Sequence, residues 1–270
     1  MSKTILVTGS TDGIGFDTVK RLLRHGHRVL IHGRSATKLA AAKMALTEAF
    51  PEAALETYQA DLLVFEEVIT LAATISERHG TLDVLINNAG VFNVPDATTG
   101  DGLDVRFAVN TIAPYLLTRR LLPLMEGKGR VVNLSSAAQA PVDLAALTGP
   151  ATLSANAAYA QSKLALTMWS RDLAHTLGTS GPVIVAVNPG SFLATKMVRE
   201  AYGMAGENVD KGAEILERAA LAPSFAEASG RYYDNDAGRF AQGHPDATNP
   251  GKCKNLTAAL DNFLQTRRML

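Results

Sequence analysis

Short apolar runs alternate with longer stretches of helical periodicity over the first 190 residues. The runs are rich in β-branched side chains and occupy residues 3–8, 28–32, 55–60, 83–86, 129–134 and 183–187. They are continuous rather than alternating, which is typical of parallel strands covered by helices on both faces. Apolar positions at helical spacing predict helices over residues 16–24, 36–50, 65–78, 102–125 and 156–177. This repeated β-α-β order predicts an α/β fold with a single doubly wound parallel sheet.

The regular alternation weakens after residue 190. We expect a helix over residues 209–221, a final strand and turn over 230–234, a loop over 236–254 and a last helix over 256–266. Segments of this kind usually cover the ligand end of a sheet, although loop packing is an equally good interpretation. The apolar side chains concerned include Phe192, Met197, Tyr202 and Met204. We interpret residues 1–270 as one domain, with a substrate lid at 191–222 and a C-terminal extension at 234–270.

A glycine-rich turn separates the first predicted strand from the first predicted helix. It reads Gly9, Ser10, Thr11, Asp12, Gly13, Ile14 and Gly15. Glycine lets a backbone approach a pyrophosphate closely, and the amides and positive dipole end of the following helix attract the anion. The spacing is Gly-x-x-x-Gly-x-Gly, not the commoner Gly-x-Gly-x-x-Gly, and many strand-to-helix turns use glycine for geometry alone. Its place at the opening of the sheet favours a dinucleotide site in a Rossmann-type fold.

Polar or small residues also follow the other predicted strands. In a parallel sheet, ligands bind outside the carboxyl ends of the strands. Those ends carry Arg34, Asp61, Asn88, Ala89, Gly90, Ser136, Pro189 and Gly190. Chance can supply any one of these residues, but their agreement in position predicts a shared ligand site.

Arg34 and Ser35 bear on the choice of cofactor. They follow the second strand at the place, about 20 residues after the glycine turn, where an acidic residue would bind the ribose of NAD and an arginine the 2′-phosphate of NADP. A guanidinium suits a phosphate well, so we predict NADP, with NAD as the alternative. Asp12 would repel that phosphate if its carboxylate pointed inward, and Arg34 could instead cap a strand end at the surface.

Tyr159 and Lys163 lie four residues apart and hence on one face of a predicted helix. A nearby cation favours the phenolate and lowers the pKa of a tyrosine from its usual ~10, which would let Tyr159 act as a general acid or base. A solvated helix face explains an isolated Tyr-x-x-x-Lys equally well. The position of this pair, after Ser136 and before Pro189 and Gly190, favours the catalytic interpretation.

Together, these pieces resemble the short-chain dehydrogenase/reductase family over nearly the first two hundred residues. The matching residues are Thr8, Gly9, Gly13, Ile14, Gly15, Asp61, Asn87, Asn88, Ala89, Gly90, Asn110, Ser136, Tyr159, Lys163, Pro189 and Gly190, in that order. The resemblance implies a catalytic set of Asn110, Ser136, Tyr159 and Lys163.

The resemblance also implies how the cofactor is bound. Asp61 would bond the adenine edge, with Leu62 beside it, and residues 88–90 would lie along the adenosine ribose. Lys163 would hold the nicotinamide ribose hydroxyls, and Asn110 would position a water for proton relay. The remaining members of the implied cofactor set are Tyr159, Pro189 and Gly190.

Two serines compete for one role, and two segments depart from the family pattern. Ser136 is preferred to Ser135 because the family's serine usually follows the strand by that extra residue. Asn110 could also be a plain helix-kink residue.

The Ala- and Leu-rich stretch at residues 141–155 is longer than in compact members of the family. It is similar to the insert of the retinol-dehydrogenase-like branch, which borders the substrate entrance. In the family pattern Pro-Gly-x-x-x-Thr, the threonine binds the carboxamide of the cofactor. This chain has one extra residue between Gly190 and Thr195, so we do not assign that contact to Thr195.

Composition excludes several classes of partner. Lys and Arg together number 26, as do Asp and Glu, so the formal charge is zero and neither nucleic acid nor an acidic membrane is favoured. The single cysteine, Cys253, excludes an internal disulfide and fits a reducing compartment. The six histidines show no metal-ligand spacing, so no metal is expected. Without a leader or an apolar run of ~18 residues, we expect a cytoplasmic protein.

These observations predict an NADP-dependent oxidoreductase that transfers a hydride between nicotinamide and a carbonyl or alcohol substrate of apolar character. The alternatives are a nucleotide-binding regulator that has lost catalysis, and an isomerase or lyase on the same scaffold. The intact set of Ser136, Tyr159 and Lys163 argues against the regulator. The oligomeric state is not predicted, and a homo-oligomer is one alternative, because the long C-terminal tail could pack on its own subunit or block a partner.

Overall fold

The computed structural model describes residues 1–125, 127, 129–150, 152–191, 193 and 208–270. Within these residues, one sheet has the strand order β3-β2-β1-β4-β5-β6-β7-β8. Its strands are β1 (Thr4–Val7), β2 (Arg28–Gly33), β3 (Leu55–Gln59), β4 (Val84–Asn87), β5 (Arg130–Leu134), β6 (Val183–Asn188), β7 (Tyr232–Asp234) and β8 (Arg239–Ala241). All described neighbours pair in parallel except β7 and β8. The predicted doubly wound α/β fold is confirmed, with an antiparallel strand at one edge.

Helices cover both faces of this sheet. They are α1 (Gly13–Arg24), α2 (Ala36–Ala49), α3 (Phe65–Arg78), α4 (Val105–Phe107), α5 (Ala113–Leu121), α6 (Leu144–Thr148), α7 (Ala155–Leu177), α8 (Asp210–Leu221) and α9 (Pro250–Thr266). The side chains of Ser35 and Ser154 cap α2 and α7 by accepting a backbone N–H of the first turn, which fixes where each helix begins. In the described part of the chain, no helix is both long and apolar enough to cross a membrane.

The strands send alternate side chains into two apolar cores. In β1, Leu6 faces the core built with α3, α5, α7 and α9, whereas Ile5 and Val7 face the core built with α1, α2 and α8. Burying one such aliphatic side chain contributes roughly 1.5–3 kcal/mol. The two cores therefore hold the central strands in register and fix where their carboxyl ends lie.

Strand order places the crevice of the fold beside β1. The chain moves from β1 outward to β2 and β3, and then crosses back to β4 on the other side of β1. In a doubly wound sheet, the ligand crevice lies outside the carboxyl ends of the strands where this reversal occurs. The glycine turn follows β1 and residues 88–90 follow β4, so topology alone brings them together.

Two segments differ from the sequence-based expectations, and a third, for which no element was predicted, contains a short helix. The strand expected to be final, at residues 230–234, is followed by β8, and α9 begins at Pro250 rather than near residue 256. Proline is favourable at the first position of a helix, where its missing N–H costs nothing. The expected insert at residues 141–155 contains α6, whose first amides donate to the side chain of Asp143.

Much of the expected lid lies outside the described residues. This applies to Phe192, Thr195, Met197, Tyr202 and Met204. At the described end of this expected lid, α8 packs on α1. There Arg21 donates from Nε and Nη2 to the carboxylate of Asp210, at 3.1 and 2.8 Å, and from Nη1 to Glu217 at 2.9 Å.

Candidate active site

The glycine turn brings the chain tightly past the end of β4. Gly9 has a φ of +62° and Gly13 a φ of +55°, a region that other L-residues rarely adopt. A Cβ added at Gly9 would lie 2.8 Å from the Cα of Ala89. Asp12 precedes α1 but its side chain does not accept a hydrogen bond from the helix amides. The amides and dipole of this helix end are therefore available to an anion.

Asn88 joins the ends of β1 and β4. Its Nδ2 group donates to the carbonyl oxygens of Thr8 at 2.8 Å and Gly9 at 2.9 Å. In return, Thr8 Oγ1 accepts from the amides of Asn88 and Ala89, each at 3.1 Å. Gly15 packs directly on this arrangement, since a Cβ there would lie 2.5 Å from both Asn88 Nδ2 and the Gly9 oxygen. The Asn88 side chain thus supports the glycine turn from within the protein.

Ser10 and Thr11 also face inward from the turn. The buried hydroxyl of Ser10 accepts from the amide of His32 at 2.9 Å and donates to its carbonyl oxygen at 3.3 Å. Thr11 packs under Gly33, where an added Cβ would lie 2.5 Å from Thr11 Cγ2. These contacts continue the pairing of β1 and β2 into the turn.

His32 links the glycine turn to the end of β3. Its side chain is buried, Nδ1 accepts from the Gly9 amide at 3.1 Å, and Nε2 lies 3.1 Å from the carbonyl oxygen of Ala60. Because Nδ1 accepts, the neutral ring carries its hydrogen on Nε2 and donates it to Ala60. Burial lowers the pKa of His32 to about 4, although Ala60 and Asp61 act in the opposite direction. Sequence reasoning missed this residue, although a histidine within a buried strand signals a need for partners.

The side chains expected to select the cofactor lie at the open end of the crevice. Arg34 is exposed, and Ser35 Oγ accepts from the amide of Lys38 at 3.4 Å. The Lys38 ammonium lies 3.3 Å from Asp12 Oδ2, so a cation offsets the carboxylate that would otherwise repel a phosphate. An open cleft of about 280 Å³ is lined by Thr11, Asp12, Phe16, Lys38, Ala41, Ala42 and Ala45.

Asp61 and Leu62 form the turn after β3. The amide of Asp61 donates to Glu67 Oε2 at 2.7 Å, and Asp61 Oδ1 accepts from the amide of Leu63 at 3.0 Å. Leu62 is buried in the core beside α3. Asp61 stays half-buried and faces the same end of the sheet as the glycine turn.

Lys163 and Tyr159 lie on one face of α7, as their spacing predicts. The Lys163 ammonium donates to the carbonyl oxygen of Leu134 at 2.7 Å and lies 5.8 Å from the centre of the Tyr159 ring. Burial lowers the pKa of Lys163 to about 8. A Cβ added at Gly90 would lie 3.4 Å from this ammonium. The end of β4, the end of β5 and α7 therefore meet at one buried cation.

Asn110 lies in a π-helical turn, Ala108–Ile112, between α4 and α5. Its side chain bonds both backbone groups of Val91, in the loop that follows β4. Oδ1 accepts from the amide of Val91 at 2.8 Å, and Nδ2 donates to the carbonyl oxygen of the same residue at 2.9 Å. Nδ2 also donates to Ser162 Oγ at 3.0 Å, and Ser162 in turn donates to the Tyr159 carbonyl at 2.7 Å. The clasp joins the predicted Asn110 to the helix turn that carries Tyr159. π-turns of this kind are frequent at functional sites.

The two candidate serines differ in how far their hydroxyls are engaged. Ser135 is buried, and its Oγ lies 2.7 Å from Thr167 Oγ1 and donates to the Lys163 carbonyl at 3.2 Å. Ser136 is partly exposed, and its Oγ accepts from the amide of Ala138 at 3.1 Å. The geometry favours Ser136, whose hydroxyl hydrogen is not used in that contact.

Phe92 is a further member of the site that sequence reasoning missed. Its ring meets Tyr159 edge-on, with the ring centres 4.7 Å apart. The Phe92 carbonyl accepts from Arg106 Nη1 at 3.2 Å, and Arg106 Nη2 lies 2.7 Å from Asp104 Oδ2 in a buried ion pair. No local pattern identifies this contact, because it depends on α4 packing beside the end of β4.

Pro189 and Gly190 close the site beyond β6. Gly190 has a φ of +123°, and its amide donates to Asn188 Oδ1 at 3.2 Å. The Asp236 carboxylate accepts from the Ser191 amide at 2.8 Å, the Ser191 hydroxyl at 2.7 Å and Asn188 Nδ2 at 2.9 Å. The structure thus gathers the predicted residues along one edge of the sheet, with Arg34 at the outer end. In the described residues, no group of three metal-ligating side chains occurs.

The chain is similar to known proteins in both sequence and fold. The sequence profile of the short chain dehydrogenase family matches residues 3–205. Polyprenol dehydrogenase from Homo sapiens is 33% identical over 254 residues, covering 87% of this chain and 77% of that protein. Retinol dehydrogenase 13 from Homo sapiens is 30% identical over 251 residues, covering 86% and 76% respectively. The Pseudomonas aeruginosa RhlG/NADP active-site complex has a TM-score of 0.71 and 25% identity, covering 87% of this chain and 95% of that chain.

Replacing Gly15 by Ala should destabilise the fold by about 1–3 kcal/mol, because the added methyl would displace the Asn88 amide or the Gly9 carbonyl. Urea unfolding followed by circular dichroism measures the change. Gly80→Ala is the matched control, since no atom lies within 4 Å of a Cβ added there. Equal unfolding free energies for the two variants would contradict the close contact.

Acid should weaken the fold partly through His32. The folded ring stays neutral down to about pH 4, whereas the unfolded chain takes up a proton near pH 6.5, so protonation favours unfolding in this window. The shift corresponds to roughly 3 kcal/mol of stability lost between the two pH values. We expect His32→Gln to flatten the pH dependence of urea unfolding, with the exposed His175→Gln as control. A wild-type slope in the His32 variant would refute the role of the ring.

Proposed function

The chain belongs to the short-chain dehydrogenase/reductase family, in its retinol-dehydrogenase-like branch, and it is an NAD(P)-dependent enzyme; from this premise we propose that it exchanges a hydride between NADP(H) and an apolar carbonyl or alcohol substrate. The observation that carries the proposal is the buried Lys163 ammonium 5.8 Å from the Tyr159 ring, at the edge where the glycine turn ends. A proton-transferring phenol and a dinucleotide cradle thereby share one crevice.

The residues of the crevice fit a dinucleotide. A Cβ at Gly9 or Gly15 would lie 2.8 Å or less from neighbouring atoms, so the turn has no room for side chains at these positions. The first amides of α1 have no side-chain cap from Asp12 and can donate to a phosphate. Gly90 borders the same crevice, since a Cβ there would lie 3.4 Å from the Lys163 ammonium. We assign the pyrophosphate to the glycine turn, the adenine end to Asp61 and the nicotinamide ribose to Lys163. Bound there, the cofactor supplies or accepts the hydride.

The proton is assigned to Tyr159. With a pKa of about 8, Lys163 is mostly charged at neutral pH, and its charge favours the phenolate of the nearby tyrosine. Tyr159 can therefore give a proton to a substrate oxygen as negative charge develops, or take one in the reverse direction. Ser136 would donate a hydrogen bond to the same oxygen. Asn110 holds the segment at Val91 and is assigned to the proton relay.

Several features support NADP over NAD. Arg34 is an exposed cation after β2, and Lys38 adds a second cation while pairing with Asp12. The RhlG complex, to which this chain is similar, contains NADP. A 2′-phosphate placed at this outer end would meet two positive groups.

The substrate is proposed to be an apolar carbonyl compound or alcohol. Polyprenol and retinol dehydrogenases are among the relatives, and both names denote apolar alcohols. We keep the interpretation of residues 191–222 as a lid and of 234–270 as a C-terminal extension. The single cysteine supports a reducing compartment such as the cytoplasm.

Tyr159→Phe should lower kcat by about 100-fold or more, because it removes the hydroxyl that transfers the proton. NADPH oxidation in the presence of apolar aldehydes and ketones, retinaldehyde included, measures the rate. NADPH affinity, followed by nucleotide fluorescence, should stay nearly unchanged, and Tyr58→Phe on β3 should keep full activity. Wild-type turnover in the Tyr159 variant would refute the assignment. If the wild-type protein itself binds NADPH but causes no net oxidation with any of these substrates, the regulator or the isomerase is favoured.

Arg34→Ala should raise the KM for NADPH by roughly tenfold or more while leaving the KM for NADH unchanged, since a charge-assisted bond to phosphate contributes roughly 1.5–3 kcal/mol. Steady-state kinetics with both cofactors measure the ratio. Arg24→Ala, at the opposite end of α1 from the glycine turn, is the control. An equal change with both cofactors would show that Arg34 does not read the 2′-phosphate.

A further inference from the structure

The carbonyl oxygen of Ser136 is held by two side chains that the proposed mechanism does not use. Tyr232, on β7, donates its hydroxyl to this oxygen at 3.1 Å. Gln139 Nε2 donates to the same oxygen at 3.0 Å. Tyr232 lies beyond residues 3–205, the part matched by the family profile.

Both donors are themselves fixed by the turn after β8. Gln139 Oε1 accepts from the amide of His244 at 3.1 Å. Gly243, with a φ of +69°, packs over both side chains, because an added Cβ would lie 3.4 Å from Tyr232 Cδ1 and 3.5 Å from Gln139 Oε1. The loop after β5 is also tied to α7, since the Ala140 amide donates to the Ala160 carbonyl at 3.3 Å.

Tyr232 is well suited to act as a permanent donor. Its side chain is only 5% exposed. Burial raises the pKa of its phenol, and the nearby carboxylates of Asp234 and Asp236 raise it further. The hydroxyl therefore keeps its hydrogen at any pH used for assay, unlike that of Tyr159 in its proposed role.

We propose that Tyr232 and Gln139 are positioning residues for Ser136: by holding its carbonyl oxygen, they fix the peptide from which its hydroxyl points toward the substrate. The inference deepens the proposed function and rests on it. Ser136 needs such support because its side chain is only partly buried and its Oγ accepts from the Ala138 amide of the same loop. A hydroxyl that must donate to a substrate oxygen gains most from a fixed backbone, because small misplacements are costly in catalysis.

Tyr232→Phe removes one hydroxyl and keeps the ring. We expect kcat to fall by about 3- to 10-fold, as for the loss of one neutral hydrogen bond, with NADPH affinity unchanged. Gln139→Met should lower kcat similarly, and the double variant should lower it further. The matched control is Tyr233→Phe, since this neighbouring tyrosine packs in the core built with α1, α2 and α8, against the rings of Phe225 and Phe240. Thermal unfolding checks that each variant is folded.

A double-mutant cycle with Ser136→Ala separates positioning from a general structural effect. If Tyr232 acts through Ser136, Tyr232→Phe should cause no further loss of kcat in the Ser136→Ala background, measured as NADPH oxidation with retinaldehyde or the best apolar carbonyl compound found. Additive losses would overturn the inference while leaving the proposed function intact. Full activity of Ser136→Ala alone would instead refute the proposed catalytic role of that serine. Gln139→Met repeats the cycle should Tyr232→Phe unfold.

Discussion

Burial of the Lys163 ammonium constrains the carboxyl edge of the sheet. A charge is costly to remove from water unless its hydrogens find acceptors, and the Leu134 carbonyl supplies one at 2.7 Å. Gly90 lies beside the ammonium, since a Cβ there would lie 3.4 Å from Lys163 Nζ and 3.3 Å from Asn110 Oδ1. Ser135 and Thr167 bond the carbonyl of Lys163 itself, which fixes this turn of α7 against β5. The ends of β4 and β5 and the placement of α7 are thus adjusted to a single buried cation.

Elements with local signals could be predicted from the sequence, whereas elements that depend on distant partners could not. The central strands were predicted from continuous apolar runs, and α2 and α7 begin within one residue of the positions predicted from helical periodicity. β8 has only three residues and gains its order by pairing with β7. The π-turn at Ala108–Ile112 is supported by the bonds of Asn110 to Val91, which no local pattern reveals. A loop was expected over residues 236–254, although Pro250 begins a helix.

The candidate site divides in the same way. Strand order alone predicted which residues would gather, because carboxyl ends of parallel strands share an edge. It could not predict which atoms remain available: Ser135 and Ser136 carry the same hydroxyl, and only the packing of α7 shows that the first is already engaged. The partners of His32 and Tyr232 lie far away in the chain, so their contributions became visible only in three dimensions. The chemical roles assigned to the gathered residues stay predictions.

Helix α9 lies against α5 and α7 and is pinned there by polar contacts. Asp261 Oδ1 accepts from the Tyr115 hydroxyl at 2.7 Å and from Arg119 Nη1 at 2.6 Å, and the Met269 carbonyl accepts from both Nε and Nη2 of Arg120. The last residues of the chain thereby cover part of α5 and part of α7. The surfaces of α5 and α7 that α9 contacts are therefore internal to this chain, and the side chains of Tyr115 and Arg119 are already engaged there.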